Sequence, residues 1–109
     1  MKNQPLIEKI EKEILAIKAN LQNIGPMRPG SINEQFKDPK AKSGSYYQLN
    51  YTHKMKTRTE YIRKNNLETL KSEIGEYQRF RELIDDWVTL SIQVSKLRIK
   101  EKNMGPKSS

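Results

Sequence analysis

Residues 46–64, YYQLNYTHKMKTRTEYIRK, set Tyr46, Tyr47, Tyr51 and Tyr61 among Lys54, Lys56, Arg58, Arg63 and Lys64, with Glu60 as the one acid in the stretch. Cations at this density suit a polyanion, because each neutralises a phosphate and releases condensed counterions, while a tyrosine ring offers a face on which an unpaired base stacks. A guanidinium grips phosphate or guanine with two parallel hydrogen bonds, so Arg28 and Arg58 are the candidates for directed contacts. Lys40, Lys42, Lys54, Lys56, Arg63 and Lys64 would supply the general field. The same residues have a structural reading, in which Tyr47, Leu49 and Tyr51 pack on helices and the lysines guard an edge strand against aggregation. Opposite faces of one strand allow both.

Other chemistries find little material. His53 is the one histidine and falls in an expected turn. Asp85 and Asp86 are helical neighbours about 100° apart, a spacing for a solvated face rather than an acid/base pair. There is no cysteine, which removes disulfides, thiolate zinc sites and thiol catalysis. No phosphate-cradling glycine loop or nucleophile elbow is present, and MRPGS reads as a structural turn with Ser31 capping it. The expectation is a non-enzyme with no cofactor and no metal.

The elements that must position the basic residues follow from period and composition. In residues 5–24, Ile7, Ile10, Ile14, Ile17, Leu21 and Ile24 alternate steps of three and four, the seam of an amphipathic helix. Pro5 suits its first turn, and Gly25-Pro26 stops it. A second, longer helix is expected over 67–102. Its first apolar row is Leu67, Leu70, Ile74 and Tyr77; after a small change of phase comes Phe80, Leu83, Trp87, Leu90, Val94 and Leu97. Gly75 weakens this helix locally by about 1 kcal/mol relative to alanine and allows a bend or a close crossing. Ile84, Val88 and Ile92 widen its apolar face. Residues 103–109 are expected to be a disordered tail. The second helix outruns the first, so an antiparallel pair would leave an apolar stripe uncovered, which monomers seldom do. A homodimer is expected, with Leu83, Trp87, Leu90, Val94 and Leu97 at its interface.

Residues 25–66 are broken by Gly25, Pro26, Pro29, Gly30, Pro39 and Gly44. YYQLNYT and TRTEYI read as two strands around an HKMK turn, with SINEQF as a short third. On the first strand Tyr47, Leu49 and Tyr51 share one face, and Tyr46, Gln48, Asn50 and Thr52 the other. This segment holds Arg28, Lys37, Lys40, Lys42, Lys54, Lys56, Arg58, Arg63 and Lys64 against Glu34, Asp38 and Glu60, which accounts for most of the net charge of +8.

Three motifs resemble a prokaryotic domain family of unknown function, small proteins of bacteria and archaea often encoded near mobile elements. Arg28-Pro29-Gly30-Ser31 with Glu34 and Phe36 is similar to its R-P-G-S-L-x-E-x-F. Tyr46-Tyr47, Leu49, Tyr51, Lys56-Thr57-Arg58 and Tyr61 are similar to its two-strand section, and Glu76-Tyr77, Arg79-Phe80-Arg81 and Leu83 to its final E-Y-R-R-F-R-x-L. The resemblance covers about residues 20–97. It departs at the family's cysteine-rich, zinc-like turn: here KDPKAKSGSYY carries no thiol, and Ser43-Gly44-Ser45 stands where H-G-P would fall.

At 109 residues, 34% hydrophobic and 31% charged, the chain allows one small domain without a large core. Charges interrupt the N-terminal apolar residues, so no signal peptide is expected; no apolar run suits a membrane, and a cytoplasmic location fits. The expected fold is α+β: two long antiparallel coiled-coil-like helices flanking a small basic two- or three-stranded antiparallel sheet. The expected function is nucleic-acid binding, DNA rather than RNA, by a basic hairpin on a helical stalk. The alternative is an adaptor whose long helix docks a protein partner and whose hairpin faces an acidic protein.

Overall fold

A computed structural model describes residues 3–104. In chain order it contains α1 (Gln4–Leu21), β1 (Ser31–Asp38), β2 (Ser43–His53), β3 (Lys56–Ile62), a 3-10 turn (Lys64–Asn66) and α2 (Leu67–Met104). The fold is therefore α+β, with two helices and one three-stranded antiparallel sheet in the order β1-β2-β3. Two compact units divide the chain: Gly25–Arg79 is one, and the segment up to Ile24 with the chain from Phe80 onward is the other. Among the described residues no helix is long and apolar enough to cross a membrane.

In the sheet unit, β2 is central and its alternation decides the packing. Leu49 is completely buried, and with Ile62 and Leu70 it forms a core that Ile32, Tyr47, Tyr51, Leu67 and Ile74 complete. The first turns of α2 thus cover one face of the sheet. Each fully buried aliphatic side chain contributes about 1.5–3 kcal/mol, so this handful of residues supplies most of what holds the unit together. The approach to β1 is pinned separately. Gly25 N–H donates to Glu76 Oε1 at 2.9 Å, and Arg28 N–H donates to the Glu73 carbonyl at 3.0 Å. Gly30 then enters β1 with φ +128°, where a Cβ would lie 2.7 Å from the Asn50 carbonyl oxygen and 2.9 Å from a Leu49 methyl. Glycine is demanded here by both conformation and space. Ser31 opens β1 opposite Asn50 instead of capping a turn.

In the helical unit, Ile7, Ile10 and Val94 are buried together, with Ile14, Leu90 and Leu97 packed on them. Glu11 pairs with Arg98, and the Lys18 ammonium lies 5.2 Å from the centre of the Trp87 ring. Contacts that climb α1 descend α2, so the two segments run antiparallel. The isoleucine seam of α1 is the expected one, but regular helix ends at Leu21, not at residue 24. Gln22, Asn23 and Ile24 close on i−3 carbonyls (Ala19, Asn20, Leu21), which tightens the last turn before Gly25.

The long helix starts at Leu67 as expected, led in by the 3-10 turn that ends at Asn66. Asn103 and Met104, placed in the tail by the sequence reading, complete it; residues 105–109 of that tail lie outside the described residues. At Gly75 a Cβ would meet nothing within 4 Å, so no close helix crossing requires the glycine.

The two glycines therefore have opposite consequences. Gly75→Ala should stabilise the fold by about 1 kcal/mol, raising the thermal midpoint by a few degrees. Gly30→Ala should cost about 2 kcal/mol or more, from the positive φ and the clash with Asn50. Thermal melts followed by circular dichroism check both.

Candidate nucleic-acid interface

The strand registers sort every side chain of the sheet onto one face or the other. Ile32, Leu49 and Glu60 stand in one cross-strand row, as do Glu34, Tyr47 and Ile62, and Tyr51 with Arg58. Asp38 lies opposite Ser43 on this same, core-facing side. All three acids of the basic segment (Glu34, Asp38 and Glu60) consequently share the face that carries Leu49. The opposite face holds Ser31, Asn33, Gln35 and Lys37 from β1, Tyr46, Gln48, Asn50 and Thr52 from β2, and Thr57, Thr59 and Tyr61 from β3. It contains no acid.

This open face is internally organised. Tyr46 and Tyr61 stack with ring centres 6.2 Å apart and planes 28° apart. Thr59 Oγ1 donates to Asn50 Oδ1 at 2.7 Å, and the Thr52 and Thr57 hydroxyls share a 2.9 Å hydrogen bond. Such cross-strand pairs hold the side chains in place at about 0.2–1 kcal/mol each. Amide and hydroxyl groups of this kind both donate and accept, as base edges and sugars require.

The cations are displaced to the ends. β1 begins opposite Asn50, so residues 51–58 form a two-stranded ribbon beyond it, ending in Lys54-Met55. Those two residues have φ of 51° and 66°, the two positive values of a type I′ hairpin turn. Non-glycine residues cost about 1–2 kcal/mol each in that conformation, so the tip is strained. Met55 at its apex is 96% exposed. Lys56 stands opposite His53 and Arg58 opposite Tyr51, both exposed and both on the core-facing side. At the other end, Lys40 and Lys42 lie in the exposed turn between β1 and β2, and Arg63 and Lys64 follow β3 as it leaves opposite Tyr47. Ten residue steps of β2 separate the two ends, about 33 Å at strand rise. The expected basic residues thus form two clusters and not one.

Arg28 is engaged within the sheet unit. Its guanidinium pairs with Glu60 and lies 4.9 Å from the centre of the Tyr51 ring. Being only 28% exposed and engaged on two sides, it fastens the segment before β1 onto the sheet. The cause is its cross-strand setting, since Glu60 and Tyr51 share the core-facing side with Leu49.

The expected interface set on α2 is also engaged within the chain. Val94, Leu90 and Leu97 pack against Ile7 and Ile10, Trp87 lies under Lys18, and Leu83 is half-buried. The turn between β1 and β2, where the resembled family has its zinc-like turn, offers a single carboxylate, Asp38, whose Oδ1 accepts the Ala41 N–H at 3.3 Å, which is not a metal-ligand set. Sequence reading missed Asn33, Gln35 and Lys37 as members of the open face. The alternation of Ile32, Glu34 and Phe36 was the signal that placed them.

These assignments predict different behaviour for two basic residues. Arg28→Ala should destabilise the protein by about 1–2 kcal/mol, through a part-exposed charge-assisted hydrogen bond and a cation–π contact. Lys56→Ala should leave stability within about 0.5 kcal/mol, as an exposed residue with no partner to strand. Chemical denaturation of the two variants beside the parent separates them.

Comparison with known proteins identifies the family but no activity. No curated protein and no solved structure matches the chain. A family model described as Domain of unknown function (DUF6788) matches residues 6–72, which takes in most of α1, the whole sheet and the first turn of α2, and stops short of the Glu76–Leu83 motif. With more than half of its length matched, the chain belongs to the DUF6788 family.

Proposed function

We propose that the protein binds nucleic acid, duplex DNA in the first place, and catalyses no reaction on it. The acid-free sheet face lies along the polyanion, and the basic turns at its two ends grip phosphates. Segregation of charge carries the proposal: Glu34, Asp38 and Glu60 all share the face with Leu49, so none of them repels a polyanion from the open side. The length of β2 supports a duplex, because about 33 Å between the basic ends is close to one turn of B-DNA, about 34–36 Å. Lys40 and Lys42 would then meet the backbone one turn away from Lys54 at the hairpin tip. Between them Asn33, Gln35, Gln48 and Asn50 supply the sequence-tolerant polar contacts. In this proposal α1 and α2 pair in a coiled-coil-like manner and act as scaffold.

One observation favours a second reading. Tyr61 is 69% exposed on the open face and already stacks with Tyr46. A single strand of DNA or RNA could continue that stack, as in other single-strand binders.

Fluorescence anisotropy with labelled duplex DNA, single-stranded DNA and RNA across a salt series distinguishes these readings. Duplex binding should weaken steeply with salt, and each lost lysine or arginine contact should lower the slope of log K against log salt by about one. Both Lys40→Ala/Lys42→Ala and Lys54→Ala should show that loss, while Tyr61→Ala should leave duplex affinity nearly unchanged. Preference for single strands that collapses in Tyr61→Ala would select the second reading. Absence of binding to all three at low salt would overturn both.

A further inference from the structure

Beyond the nucleic-acid reading, and independently of it, α2 carries a second apolar row that α1 does not cover. At 100° per residue Ile84, Val88, Ser95 and Ile99 fall within about 60° of one another, with Ser91 and Ile92 on either side. The row that packs on α1, Leu90, Val94 and Leu97, lies roughly 140° further round the helix. Val88, Ile92 and Ile99 are 52%, 50% and 57% exposed. Ile84, Val88, Ser91, Ile92 and Ser95 line a concavity of about 570 Å3, with Trp87 and Lys96 at its border. The small serines at its centre would let another helix approach closely.

We infer that this row is where a second copy of the chain docks, with the two α2 helices antiparallel. Two features select that occupant. The row is nearly symmetric about the point between Ser91 and Ile92: Ile84 and Ile99 are equally far from it, and so are Val88 and Ser95. A two-fold axis there sets each Ile84 on the other copy's Ile99, and each Val88 over a small Ser95. Such a patch is self-complementary, as a closed dimer needs.

Charge makes the same selection. Asp85 lies toward the N-terminal end of the row, and Lys96 toward the C-terminal end. Asp85 and Lys96 border the row on the same flank, only about 20° apart in helical projection. Antiparallel docking brings Asp85 of each copy to Lys96 of the other, twice by symmetry. In a parallel pair the same flank of each helix falls on opposite sides of the seam, so Asp85 and Lys96 do not meet.

The experiment is sedimentation velocity on the full chain over a concentration series, with circular dichroism to verify helix content in every variant. The parent should dimerise. Asp85→Lys and Lys96→Asp should each weaken the dimer by about tenfold or more, since each creates two like-charge contacts. The double variant Asp85→Lys/Lys96→Asp should restore it, because the swap recreates both pairs in an antiparallel dimer and only there. Ile92→Asp should abolish dimerisation while leaving the helix signal intact. A parent that stays monomeric at the highest attainable concentration overturns the inference, as does a double variant no tighter than the singles.

Discussion

Burial of Leu49 beneath the first turns of α2 is the contact from which the organisation of the sheet unit follows. A strand alternates its side chains with period two, so committing one central residue to the core commits all of β2 and, through the registers, both neighbours. The hydrophobic row beside Leu49 then has no freedom to turn outward. Neither do the acids that occupy the same face further along. The register collects Glu34, Asp38 and Glu60 on the covered side, together with Lys56 and Arg58, and leaves amides, hydroxyls and Tyr61 on the open one.

The second constraint is the smallness of both cores. Neither unit buries more than a few aliphatic side chains, as the composition requires. One helix serves both: the row from Leu67 to Ile74 packs on the sheet, and the row from Leu90 to Leu97 packs on α1. The change of phase near Phe80 is where the helix changes its partner. It coincides with the boundary between the units. Polar contacts of modest individual strength, Arg28 with Glu60, Glu76 with the Gly25 amide, and Lys18 over Trp87, fasten the chain where apolar area is scarce.

Much of this was legible from residue types and periods. The isoleucine seam of α1, the start of α2 at Leu67, the HKMK turn and the face shared by Tyr47, Leu49 and Tyr51 all rest on local periodicity, which needs no knowledge of distant partners. The third strand was visible in SINEQF for the same reason. Helix ends were less exact: i−3 bonding tightened α1 after Leu21, and α2 ran on through Asn103, because terminal hydrogen bonding is decided by where the chain goes next.

By itself, then, the sequence determined which elements form and that the excess positive charge belongs to the segment between the helices, since both depend on neighbours a few residues apart. Tertiary structure alone decided what those charges face. Only the pairing of β2 with β3 reveals that Arg58 lies across from Tyr51, that Glu60 takes up Arg28, and that the basic residues divide between two ends of the sheet. Only the docking of α1 reveals which of two apolar rows on α2 is spent on the chain's own core and which is left in water. Cross-strand register and helix rotation are long-range choices, each set by the burial of a few side chains distant in sequence, and no local pattern encodes them.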